Sequence, residues 1–257
     1  MLIEPEFMKK LERLRISSRK LFPGAMKGKR RSVKRGSSVE FADYRDYQPG
    51  DDFRFIDWNI YSRLDKLFLK TFIEEENIYI HILLDVSASM NFGNPSKLEY
   101  SKKIATALGY IGLIDLDTVA ISTFAEGLNE LRYLRGKDRI FVIMKFLENI
   151  ELSNAKSLMD NCLKMYARKT KHPGVAIIIS DFLVPKITYE EGLKSLLYKN
   201  FDVNIIHVLS KEELNPSISG ELRLKDSETG EIKEVTVTER MLNHYKIRLE
   251  KFRHDLE

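Results

Sequence analysis

Cysteine is almost missing from this chain: Cys162 is the single one in 257 residues. No internal disulfide can form, so the chain suits a reducing compartment. Within a segment of helical periodicity, Cys162 is expected as a small core residue on a helix. Long apolar runs are missing too. None approaches the roughly 20 residues that a membrane-crossing helix needs, and the most apolar stretches, 78–84 and 175–180, have strand length. The start, MLIEPEFMKKLERLR, carries early acids and no apolar segment of signal-peptide type, which predicts a cytoplasmic protein with no membrane span. The chain also lacks a phosphate-cradling glycine pattern and any Ser-His-Asp or Cys-His set at strand ends, which argues against nucleotide hydrolysis and nucleophilic catalysis. There are no internal repeats and no long low-complexity segments.

What is present fits a folded α/β protein: 43% hydrophobic and 31% charged residues, both in the globular range. The net charge of +4 conceals an asymmetry. Residues 1–35 hold 12 Lys or Arg against three Glu, a balance of +9, and the remainder carries −5. A basic arm on a mildly acidic body suits nucleic acid, anionic lipid or an acidic partner, or it is simply a solvated helix face followed by a loop. Aromatic residues do not alternate with these charges, which weakens a single-strand nucleic-acid reader.

Along the chain, residues 5–22 have the three-to-four spacing of an amphipathic helix through Phe7, Leu11, Leu14, Leu21 and Phe22. Residues 23–38 carry Pro, three Gly and three Ser and are predicted as a loop. LFLKTFIEE, 67–75, is predicted as a strand leading into the main sheet. From residue 78 the pattern becomes regular. Strands are expected at 78–85, 117–124, 174–180 and 203–209, with a short extended piece at 130–134. Helices are expected at 96–114, 138–149, 156–169 and 188–199. GVAIIIS, at 174–180, is an almost unbroken β-branched run, the mark of a strand covered on both faces. This alternation predicts a mostly parallel central sheet with helices on both faces. A hairpin at 220–237 and an amphipathic helix at 239–256, with Met241, Leu242, Tyr245, Leu249, Phe252 and Leu256 inward, complete the chain. The expected organisation is a basic helix and loop (1–35), a separate block packed on the core (36–76), the α/β domain (77–210) and a C-terminal hairpin and helix (211–257).

LLDVSASMNFG, at 83–93, ends a core strand in Asp85, Ser87 and Ser89. In an extended segment these alternate residues point the same way. Asp181 follows the strand at 174–180, and ligands gather at the carboxyl ends of parallel strands. Two carboxylates and two hydroxyls meeting there would form a hard-oxygen set suited to Mg²⁺. A helix-capping role is the competing explanation for the Asp and Ser residues alone. His81 and His207 lie within strands and are expected as satisfied core histidines, because nothing nearby offers metal-ligand spacing.

D-x-S-x-S after one strand and Ser-Asp after another resembles the von Willebrand factor A domain and its metal-ion-dependent adhesion site. GSSVEFADYRDYQPGDDFRFIDWNIYSR, at 36–63, followed by LLDVSASMNFG, resembles the bacterial domain-of-unknown-function family fifty-eight. The resemblance implies a von Willebrand factor A-like, Rossmann-type fold and a non-enzymatic adaptor working with a MoxR-type AAA+ ATPase. It also implies Mg²⁺ (or Mn²⁺) held by Asp85, Ser87, Ser89 and Asp181, with the partner offering an acidic residue to that metal. The family's middle threonine falls at Lys156 here. Ser157 or Ser153 supplies that hydroxyl after a small shift, or the Lys156 ammonium neutralises the carboxylates without metal. In the upstream block, Asp51, Asp52, Arg54, Asp57 and Arg63 crowd around Trp58, Phe53 and Phe55. The expectation there is a charge-paired network with Trp58 buried as an anchor, the alternative being a recognition surface. A metal-dependent phosphohydrolase using Asp85 is the competing function, weakened by Ser87 standing where its second aspartate belongs. Nucleic-acid binding by the basic arm is the other.

Overall fold

The structure, a computed structural model, describes residues 6–7, 9–11, 39–74, 78–153, 158–216, 218, 220–225 and 232–256. The chain divides into two compact units, residues 29–77 and residues 1–28 with 78–257. Most of the basic arm lies outside the described residues.

In the smaller unit, β1 (Val39–Asp46) pairs antiparallel with β2 (Phe68–Glu74), Val39 opposite Glu74 and Asp46 opposite Phe68. The strand predicted to lead into the main sheet thus belongs to a separate two-stranded one. Its alternating residues declare a strand but not a partner. Between the strands, a 3₁₀ turn at Phe53–Phe55 is capped by Asp52. Helix α1 (Trp58–Leu64) is capped by Asp57, whose Oδ1 accepts from the Asn59 and Ile60 N–H groups and so satisfies two donors the helix cannot. Arg45 grips Asp51 through two bonds of 2.7 and 2.6 Å. Of the expected charged residues, Arg54 pairs with Asp52 at 2.6 Å, while Trp58 is 59% exposed rather than buried. Ile56 and Leu69 are the buried pair instead.

In the larger unit, five strands order as β5-β4-β3-β6-β7: β3 (Tyr79–Asp85), β4 (Thr118–Phe124), β5 (Leu128–Leu134), β6 (Val175–Ser180) and β7 (Asp202–His207). All neighbours are parallel except β5, which is antiparallel to β4. On one face, α2 (Lys97–Ile114) and α3 (Ile140–Glu148) cover Ile80, Ile82, Leu84, Val119, Ile177 and Ile179. On the other, α4 (Met159–Lys169) and α5 (Glu190–Tyr198) cover Leu83, Ala176 and Ile178. Strand alternation sends successive residues to opposite cores, which is why both β3 and β6 read as continuous apolar runs. From Val175 to Ile179 no residue exceeds 2% exposure, and each large side chain so buried contributes about 1.5–3 kcal/mol. Gly112 lets α2 approach the sheet, since a Cβ there would lie 2.7 Å from Ile80 Cδ1.

The tail forms the expected hairpin, β8 (Gly220–Lys225) against β9 (Ile232–Val237), then α6 (Lys211–Leu214) having come before it and α7 (Glu239–Leu256) after. The predicted inward stripe of α7 is only half realised. Leu249 is buried and Phe252 and Leu256 pack on the second core, while Met241 and Tyr245 are exposed. His81 is fully buried and satisfied, its Nδ1 2.8 Å from the Tyr166 hydroxyl and its Nε2 3.0 Å from the His172 carbonyl. His207 differs: it is half-buried, and its Nε2 has no hydrogen-bond partner among the described residues. No helix among the described residues is long and apolar enough to cross a membrane.

Candidate functional site

The sheet order places a topological switch point between β3 and β6, where the sequence expects the site. The chain leaves β3 for α2 and β4 on one side, and leaves β6 for α5 and β7 on the other. Connections that diverge from adjacent parallel strands open a cleft at their carboxyl ends. Asp85 ends β3, and Asp181 directly follows β6.

Asp85, Ser87 and Ser89 are brought together by a turn, not by extended alternation. The strand stops at Asp85, and Ala88–Asn91 wind into a 3₁₀ turn. The Ser87 N–H folds back to donate to Asp85 Oδ1 at 2.9 Å, and the Ser87 and Ser89 hydroxyls lie 3.2 Å apart. Ser180 donates its hydroxyl to Asp85 Oδ2 at 2.6 Å. Asp85 is 1% exposed. Burial pushes its carboxyl up to about 6, the bonds from Ser180 and Ser87 oppose that rise, and the nearby Asp181 charge adds to it.

Asp181 is held differently. Its Oδ1 accepts the Leu183 N–H at 3.2 Å, and its Oδ2 accepts the Lys97 ammonium at 2.8 Å. The same ammonium donates to Glu213 Oε1 at 2.5 Å. The side chains of Lys97 and Asp181 are 2% and 3% exposed, and that of Glu213 is 14% exposed. Glu213 is the third residue of α6 and closes a capping box with Ser210, accepting the Ser210 N–H at 2.8 Å. Its carbonyl accepts the Tyr245 hydroxyl at 2.8 Å. Gly93 fits the loop after β3 against this box: its φ is +96°, and a Cβ there would lie 2.7 Å from Ser210 Cβ.

Of the predicted donors, the structure thus gathers Asp85, Ser87 and Ser89 in one turn and brings Asp181 near enough for its charge to act on Asp85. Ser157 and Lys156 lie outside the described residues. Ser153 is anchored next to the turn by its N–H, which donates to the Val86 carbonyl at 3.0 Å. These groups are already engaged with protein donors. All four carboxylate oxygens of Asp85 and Asp181 already accept protein donors, and one of those donors is a full positive charge. Among the described residues, no group of three or more His, Cys, Asp or Glu side chains is placed to hold a metal. Cys162 is buried, with its thiol pushed up to about 11 by burial and then by the Asp85 charge, as fits a core residue.

Sequence reasoning missed Lys97 and Glu213. One signal was available. Lys97 opens α2 directly after its Ser96 cap, and a cation at the positive end of a helix is unfavourable unless carboxylates hold it there. Around the polar floor, loops at the same sheet edge expose Phe92 (50%), Leu158 (45%), Leu183 (44%) and Ile187 (81%).

Residues 43–254 match the model of a family described as "Protein of unknown function DUF58". The "Uncharacterized protein Mb1516" of Mycobacterium bovis is 23% identical over 239 residues, covering 91% of this chain and 75% of that protein. "Uncharacterized protein Rv1480" of Mycobacterium tuberculosis matches to the same extent. Among solved structures, an aerotolerance-related membrane protein from Bacteroides fragilis is similar with a TM-score of 0.45 and 20% identity, over 66% of this chain and 87% of that one. The conserved hypothetical protein BatB from Bacteroides thetaiotaomicron is similar with a TM-score of 0.42 and 20% identity, over 66% and 86%.

Proposed function

This chain belongs to the DUF58 family, and from that premise we propose that it is a non-enzymatic protein-interaction module of the von Willebrand factor A type. Its recognition surface is the carboxyl edge of the central sheet. The observation that carries this reading is the combination found there: a polar floor whose carboxylates are satisfied from within, rimmed by exposed Phe92, Leu158, Leu183 and Ile187. Large apolar side chains exposed at one edge mark an interaction site. The resemblance of the 36–93 segment points to a MoxR-type AAA+ ATPase as the partner. The Mg²⁺ of the family's adhesion site is not part of this reading, because the Lys97 ammonium already pairs with Asp181.

The test is binding of the full chain to the MoxR-type ATPase of its own source, by calorimetry. Phe92→Asp and Ile187→Asp should each weaken binding by about tenfold or more, as truncation at a binding hot spot does, without lowering the melting temperature. Ile247→Asp, at an exposed position of α7, is the control and should leave affinity unchanged. Equal affinity in all three variants would reject this edge as the recognition surface.

A further inference from the structure

We infer that Lys97 is a built-in substitute for a divalent cation, so that this sheet edge is held together without metal. Its position opposes two ordinary preferences. Its side chain is 2% exposed, and moving a cation out of water is strongly unfavourable unless it is paired and hydrogen-bonded. It also begins α2, where the helix dipole repels positive charge. Both costs are offset by direct contact with two carboxylates, Asp181 at 2.8 Å and Glu213 at 2.5 Å, bonds of the charge-assisted kind. One residue thereby ties together three segments that are distant in sequence: the start of α2, the end of β6, and α6 after β7. That is the work a metal ion does when it gathers oxygen ligands from separate loops. Here the cation is covalently part of the chain, so its presence depends on no supply of metal.

The inference concerns the same edge as the proposed recognition surface, but its readout uses the chain alone. Its failure would leave partner binding to be judged separately. Wild-type protein is titrated with MnCl₂ by calorimetry and melted with MgCl₂ or EDTA. Lys97→Met, which keeps the length and removes the charge, is treated in the same way, as are Asp181→Asn and the double variant. Expected for the wild type is a melting temperature equal within about 1 °C in EDTA and in about 10 mM Mg²⁺, with no saturable Mn²⁺ binding that depends on Asp181. Expected for Lys97→Met is gain of Mn²⁺ binding and of stabilisation by Mg²⁺, both lost in the double variant, because Asp181 and Glu213 are left without their counter-charge. Saturable wild-type binding that Asp181→Asn abolishes would overturn the inference. So would a folded Lys97→Met that neither binds Mn²⁺ nor responds to Mg²⁺. Should Lys97→Met fail to fold with or without Mg²⁺, the wild-type titration decides alone.

Discussion

Replacing Asp85 by Asn should uncover a pH dependence that the native protein conceals. Two buried groups titrate in one window with opposite sign. Burial pushes His81 down from 6.5 to about 4, the hydrogen bond to the His172 carbonyl opposing it. Between those values the unfolded chain takes up a proton that the folded one refuses, so stability is lost as pH falls. At about 1.4 kcal/mol per pH unit the loss is roughly 3 kcal/mol. Asp85 goes the other way. Its folded carboxyl is raised from 3.8 to about 6, chiefly by burial. Between 6 and 3.8 the folded state holds the extra proton, so acidification restores roughly 3 kcal/mol. The two contributions oppose each other in the wild type. Asn keeps an oxygen for the Ser87 N–H and offers its amide to the Ser180 hydroxyl, so the fold is retained. Urea unfolding in EDTA, followed by circular dichroism at pH about 7 and about 4, measures the effect. Asp85→Asn should lose roughly 3 kcal/mol more than the wild type over that interval, and His81→Gln should lose less than the wild type. Parallel profiles for wild type and Asp85→Asn would refute the assignment of a buried, protonatable carboxyl.

Two further outcomes follow from local geometry. Gly93→Ala forces a side chain into positive φ and against Ser210 Cβ, and should cost about 1–3 kcal/mol in chemical denaturation. Trp58, the single tryptophan and 59% exposed, should emit as a solvent-exposed indole and be quenched readily by acrylamide. Blue-shifted, protected emission would show that it packs as an anchor after all.

The larger unit was legible where a residue's neighbours are dictated by its own segment. VAIIIS could only be a strand covered on both sides, and all six of its residues are buried. Asp85 and Asp181 could be placed at one edge because parallel strands end together. What escaped depends on distant partners. Lys97 reads as a surface residue of an amphipathic helix until Glu213, 116 positions away, is brought beside it by the β7-to-α6 connection. β2 has the alternation of a sheet strand, but β1 rather than the main sheet supplies its hydrogen bonds. Tyr245 has the spacing of an inward residue, yet it turns its hydroxyl to the Glu213 carbonyl and keeps its ring at the surface. The serine turn was anticipated as a flat row because strand periodicity was extended past the point where the 3₁₀ turn begins.

The lone thiol of Cys162 has a practical use. It sits in the second core, close enough to feel the Asp85 charge, and is hydrogen-bonded to the Ala125 carbonyl at 3.6 Å. A disulfide reagent can react with it only when that layer opens, since a shielded, protonated sulfur is a poor nucleophile. The labelling rate is therefore a clock on transient opening of the α4 face, read from one atom with no engineered probe.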